Sequence, residues 1–97
     1  MRIEILDQAA EDLVEGFHFY EAQQPGLGSY FLSNLYGDIE SLRIYGGIHR
    51  QAYKRYFRLL SKRFPFAVFY TVQDDSVFIR AVVDCRRDPA WIRARLK

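Results

Sequence analysis

A chain of 97 residues with one cysteine, Cys85, can build a single hydrophobic core and no internal disulfide bond. Hydrophobic residues make up 49% of the sequence and aromatic residues 16%, which is enough for a compact core without a structural metal. No apolar run approaches the length of a membrane span and no signal-peptide pattern is found, so we expect one domain, residues 1–97, in the reducing cytoplasm.

The net charge of +2 hides an uneven distribution of charged residues along the chain. Residues 1–48 contain two basic and eight acidic residues, whereas residues 49–97 contain twelve basic and four acidic residues. Such asymmetry indicates that the second half faces an anionic partner, either a nucleic acid or an acidic protein segment. The alternative is that the two halves neutralise each other across the fold.

The first half of the chain predicts a strand followed by a helical hairpin. Residues 2–6 alternate between apolar and charged side chains, as a strand does, and Asp7 is suited to cap the helix that follows. Apolar residues recur at three- and four-residue steps over residues 8–23, which predicts an amphipathic helix. The sequence PGLG at residues 25–28 breaks this helix, and a second apolar stripe predicts another helix over residues 27–44.

Aromatic and β-branched residues dominate the second half and predict three strands, over residues 53–62, 66–72 and 76–84. The pair Asp88-Pro89 then supplies an N-cap and a first residue for a short C-terminal helix. The predicted order is β-α-α-β-β-β-α, an α+β fold with a mainly antiparallel four-stranded sheet. We expect the two-helix hairpin to be the only cover of this sheet, which leaves the other face open.

Alternation along the strand predicted over residues 53–62 indicates which side chains lie on the open face. The even-numbered residues point to one side, and this set mixes cations with an aromatic ring. Cations neutralise phosphates or carboxylates, and exposed rings stack on bases. We therefore expect a target or an antagonist to bind through Lys54, Tyr56, Arg58, Lys62, Arg80 and Arg86.

The sequence contains no pattern for a metal or a cofactor, and we expect neither. The two histidines are far apart, the cysteine is alone, and the glycines of PGLG follow a helix rather than a strand. His49 precedes the first long strand, where it is placed to lie beside the basic face and to exchange protons near neutral pH.

Taken in order, these motifs resemble the RelE/ParE toxin superfamily, and they are most similar to its ParE-like or plasmid stabilisation branch. The resemblance extends from Asp7 to Trp91 and rests on FHFYE (17–21) leading into PGLG, and on KRFPF (62–66) followed by an aromatic strand and RRDPAW (86–91). It implies a cytoplasmic toxin that inhibits growth until a cognate antitoxin protein wraps around it in a hetero-oligomer.

The resemblance also implies two modes of action. ParE-like toxins inhibit DNA gyrase, whereas RelE-like toxins cut mRNA on the ribosome without a metal. Lys54 and Arg58 match basic residues of the RelE pattern, and Arg86 can occupy a third basic position. These three residues and His49 are the catalytic candidates if the chain is an enzyme, which would then be an endoribonuclease.

Four departures from the RelE pattern count against that activity. Tyr56 stands where a lysine is expected, Ala67 replaces an arginine, and Asp84 stands where many relatives carry a histidine. The aromatic acid–base residue of the pattern has no match beyond Arg86, since Trp91 and Ile92 cannot exchange protons. The sequence therefore favours a ParE-like gyrase inhibitor over a ribosome-dependent endoribonuclease. A non-toxic nucleic-acid-binding or regulatory domain is the third alternative.

Overall fold

The computed structural model describes residues 1–97 and confirms the α+β fold, with nine helices and strands along the chain. None of the helices combines the length and the hydrophobicity that a membrane span requires. The elements are β1 (Arg2–Ile5), α1 (Asp7–Gln23), α2 (Leu27–Glu40), α3 (Leu42–Tyr45), β2 (Gln51–Tyr53), β3 (Tyr56–Leu60), β4 (Phe66–Gln73), β5 (Ser76–Asp84) and α4 (Pro89–Arg95).

The sheet has five strands, in the order β1-β5-β4-β3-β2, rather than the four predicted. β1 runs parallel to β5, and the other neighbours are antiparallel. The single strand predicted over residues 53–62 is wrong, because a turn at Lys54 and Arg55 divides it into β2 and β3. Lys54 adopts a left-handed conformation there, with a φ of 51°. The sequence around it contains no glycine or proline, so the turn could not be predicted from these residues.

The helical hairpin covers one face of the sheet, as predicted. Leu13 of α1 and Phe31 and Leu35 of α2 are fully buried against Tyr70 of β4 and Ile79 of β5. The two helices approach closely because α1 carries a glycine at the crossing: a Cβ atom at Gly16 would lie 2.5 Å from the Phe31 ring. Burial of this apolar surface is the main favourable contribution to folding.

The helix ends differ in part from the prediction. α1 begins at Asp7 with Leu6 as its N-cap, so Asp7 is not the cap. Asp88 does cap α4, since its Oδ1 accepts a hydrogen bond from the Ala90 N–H at 2.9 Å. The helix predicted over residues 27–44 is interrupted at Ser41, which separates α2 from α3.

The opposite face of the sheet is partly covered by α4, so the hairpin is not its only cover. Leu96, at the end of α4, is buried in a second apolar cluster, and Ile92 packs against that cluster. Arg95 anchors this helix to α1 through an ion pair with Asp12 and a 2.8 Å hydrogen bond to the Gln8 Oε1. The other members of the cluster are Tyr56, Ala67, Phe69, Ala81 and Val83.

The close approach of the two helices predicts a specific cost for a single methyl group. Gly16→Ala forces the Phe31 ring to move and should destabilise the fold by about 1–3 kcal/mol. Gly37→Ala is the matched control, because a Cβ atom there meets nothing within 4 Å and alanine favours a helix. Urea denaturation measures both variants, and equal stability of the two would contradict the packing described here.

Candidate anion-binding face

The face opposite the hairpin contains a cleft between the sheet and α4, which we call the α4 cleft. It has a volume of about 390 Å³, and apolar side chains form most of its walls. The polar groups of its lining residues are three guanidinium groups, one thiol and one phenolic hydroxyl, and no acidic side chain is among them. These residues are Tyr53, Arg58, Cys85, Arg87 and Arg93.

A second depression of about 320 Å³ lies beside the α4 cleft, and Leu96 lines both. Three further cations, Lys54, Arg55 and Lys97, line it. None of the six cations of the two depressions belongs to an ion pair of the structure. Arg87 is partly compensated, because it also lines a neighbouring depression with Asp12, Glu15 and Asp84. The hydrogen bonds from Arg86 and, to a smaller extent, the charge of Arg87 lower the pKa of the Asp84 carboxyl. The positive potentials of the other five cations add, so this face attracts anions.

The structure brings together only some of the predicted binding residues. Arg58 lies in the α4 cleft and Lys54 in the adjoining depression. Tyr56 also lines the adjoining depression, but only 8% of it is exposed because it packs in the cluster beneath Leu96. Lys62 is exposed in the loop that follows β3.

Arg80 is held within the sheet rather than in either depression. Its Nε donates a 3.0 Å hydrogen bond to the Thr71 Oγ1, and its guanidinium lies 5.7 Å from the centroid of the Phe78 ring. The position of Arg80 follows from an irregularity in the β4–β5 pairing. Phe69 pairs with Ala81 and Tyr70 pairs with Ile79, so Arg80 has no partner on β4. Arg80 is therefore the extra residue of a β-bulge.

Arg86 lies away from both depressions. Its Nη2 lies 2.6 Å from the Asp84 Oδ2, and its guanidinium is close to Tyr20 of α1. The hydrogen bonds from Arg86 hold the pKa of the Asp84 carboxyl below its usual range. The Arg86 charge is thus already compensated and faces the hairpin.

His49 also lies on the hairpin side. Its Nδ1 is 2.6 Å from the hydroxyl of the fully buried Tyr70, and the Gly47 N–H donates to the same hydroxyl at 3.2 Å. The tautomer of His49 decides which of the two groups donates the proton of this hydrogen bond. Burial lowers the pKa of His49 and so favours the neutral ring.

Cys85 gives the α4 cleft no reactive group at neutral pH. Burial raises the pKa of its thiol, and the positive charge of Arg58 opposes that effect only in part. The thiol therefore stays protonated and is a poor nucleophile. The α4 cleft combines fixed positive charge with apolar walls, but contains no group that exchanges protons near pH 7.

Sequence analysis missed four of the six cations, namely Arg55, Arg87, Arg93 and Lys97. Arg55 was assigned to the opposite side of a continuous strand, and the turn between β2 and β3 brings it to this face. Arg87 stacks on the Trp91 ring, with 4.2 Å between its Cζ and the ring centroid. The available signal was the cluster of basic residues in and after α4.

Comparison with known proteins identifies the fold. It is similar to that of a chain in the solved structure of the chromosomal ParDE TA system from P. aeruginosa, with a TM-score of 0.81 and 17% sequence identity. The match covers 87% of this chain and 95% of that chain. No protein-family model and no curated protein matches the sequence significantly. The resemblance to the RelE/ParE superfamily is confirmed at the level of the fold.

The burial of His49 makes the stability of the fold depend on pH. Since the folded-state pKa of His49 lies below the unfolded value of about 6.5, the unfolded chain binds the proton first as the pH falls. This contribution is complete above about pH 6.5 and is lost progressively below it. We expect urea denaturation at pH 7.5 and pH 5.5 to show a smaller stability difference for His49→Gln than for the wild type.

Gln23→Ala, an exposed change at the end of α1 that involves no ionisable group, is the control. Its stability difference between the two pH values should equal that of the wild type. An unchanged difference in His49→Gln would show that the burial of His49 does not govern this pH dependence.

Proposed function

We propose that the chain is the toxin of a type II toxin–antitoxin pair and that it acts in the cytoplasm. The similarity of its fold to a chain of the ParDE TA system supports this proposal, since it extends over most of the molecule. The face formed by the α4 cleft and the adjoining depression, which we call the cationic face, supports the proposal independently. Its positive charge suits a partner that carries many negative charges.

The cognate antitoxin is the first partner that we propose for this face. The apolar walls of the α4 cleft accept aliphatic or aromatic anchors, and the surrounding cations pair with carboxylates. An antitoxin segment that alternates apolar and acidic residues combines both kinds of anchor. The resulting complex is a hetero-oligomer.

The target that we propose is DNA gyrase, inhibited by binding. Metal-free RNA cleavage needs a base for the 2′-hydroxyl and an acid for the leaving oxygen, besides a cation for the phosphate. The α4 cleft supplies the cations, but its thiol stays protonated, and the only imidazole near the sheet, that of His49, is bonded to Tyr70. This separation of charge from proton-exchanging groups is the observation that favours inhibition over cleavage.

Induced expression tests the proposal. We expect growth arrest that co-expression of the antitoxin relieves, together with loss of gyrase supercoiling when the purified chain is added. Transcripts should remain intact, which primer extension on abundant mRNAs measures. Cleavage within codons, or full supercoiling at a large excess of the chain, would refute gyrase inhibition.

Charge reversal in the α4 cleft tests the site itself. Arg58→Glu removes one favourable charge and adds a repulsive one, which should weaken gyrase inhibition at least about tenfold, or about 1.4 kcal/mol. Arg63→Glu makes the same charge change at an exposed residue outside both depressions and should change inhibition little. A supercoiling titration measures both, and equal effects would place the interaction elsewhere on the molecule.

A further inference from the structure

The outer edge of β1 is a regular sheet edge to which no strand or side chain is bonded. The sheet ends at β1 on one side and at β2 on the other, and β2 has three residues and an irregular register. β5 extends beyond β1, but there the Val82 N–H donates to the Asp12 Oδ2 at 2.9 Å, so a side chain occupies that edge. The edges of β2 and of the end of β5 are therefore poorly suited to pair with another strand, whereas the edge of β1 is well suited.

The backbone of β1 presents hydrogen-bonding groups to solvent. The N–H groups of Arg2 and Leu6 donate to the Asp75 and Ile79 carbonyls of the β5 side at 2.9 and 3.1 Å. Successive residues of a strand direct their N–H and C=O groups to alternate sides. Ile3 consequently directs both of its groups away from β5, where another strand can pair with them.

The side chains of β1 complement those of a second copy of β1. Ile3 packs on the core, whereas Arg2 and Glu4 are exposed and belong to no ion pair. When two β1 strands run antiparallel about a two-fold axis at Ile3, Arg2 of each faces Glu4 of the other. A parallel arrangement in register would instead place like charges opposite each other, which is destabilising.

We propose that the chain forms a homodimer in which two β1 edges join antiparallel about Ile3 into one continuous sheet. The two Ile3 residues exchange a pair of backbone hydrogen bonds, and an Arg2–Glu4 pair lies on each side of them. Ile44, which is 78% exposed, adds apolar surface beside this edge, since the neighbouring Arg43 carbonyl accepts a hydrogen bond from the Met1 amine.

This dimer leaves the α4 cleft free. β1 lies at one end of the sheet, and the cleft is built where β2, β3 and the end of β5 meet α4. Self-association and the proposed target binding therefore use different surfaces. A cleft variant such as Arg58→Glu should dimerise like the wild type, so the two proposals fail independently.

Charge reversal in β1 tests the dimer and its register together. Multi-angle light scattering and analytical ultracentrifugation of the 97-residue chain, made by cell-free synthesis, should show a dimer that forms between about 1 and 200 µM. Arg2→Glu or Glu4→Arg alone places like charges opposite each other at both pairs. Each should raise the dissociation constant at least about tenfold.

The double variant Arg2→Glu with Glu4→Arg restores opposite charges across the axis and should recover the wild-type dissociation constant. Glu11→Arg, an exposed charge change on α1, should leave dimerisation unchanged, and circular dichroism confirms that each variant folds. A wild-type chain that stays monomeric throughout this range, or a double variant no tighter than the single ones, overturns the proposal.

Disulfide formation gives a second test of the register. In a Cys85→Ser background, Arg2→Cys and Glu4→Cys chains face each other across the axis when mixed, at a spacing that a disulfide can bridge. We expect the mixture to crosslink at least about tenfold faster than either chain alone. Equal rates in all three samples would exclude this pairing.

Discussion

The pairing of β4 with β5 is the constraint on which the rest of the structure depends, because these strands contribute to the apolar clusters on both faces of the sheet. On the hairpin side, Tyr70 and Ile79 pack against the two long helices. On the other side, Ala67 and Ala81 lie in the cluster that Leu96 closes. Within this pair of strands Arg80 and Thr71 are the polar exception, and they bond to each other. Most other polar groups lie at the sheet ends, the turns and the flanking strands.

This constraint also creates the α4 cleft. The alanine and valine side chains beneath α4 are short, so the helix rests on the sheet through Leu96 and Ile92 while space remains between its first turn and β3. The position of α4 depends on Arg95, whose ion pair with Asp12 is largely shielded from water, with 15% and 14% of the two side chains exposed. A charge pair of this kind is sensitive to loss of either partner, since the remaining charge is left without compensation.

The charge asymmetry of the sequence becomes a separation between two faces of the molecule. The exposed acidic residues of α1 lie on the hairpin side, and the six unpaired cations lie around α4 and the turn between β2 and β3. Three basic residues do not contribute to that face because carboxylates already neutralise them, namely Arg43, Arg86 and Arg95. The positive charge that the cationic face presents to a partner thus depends on which cations the fold leaves unpaired. The total number of basic residues in the chain matters less.

The sequence by itself determined the elements whose signals are local: the two amphipathic helices, the break at PGLG, β4 and β5, and the Asp88 cap of α4. It also determined the charge asymmetry and the resemblance that matched the fold. Only the tertiary structure decided that Lys54 and Arg55 form a turn, that α4 covers the second face, and that Arg86 and His49 lie on the hairpin side. These outcomes depend on contacts between residues that are distant in the chain, such as Arg95 with Asp12, and periodicity carries no information about such contacts.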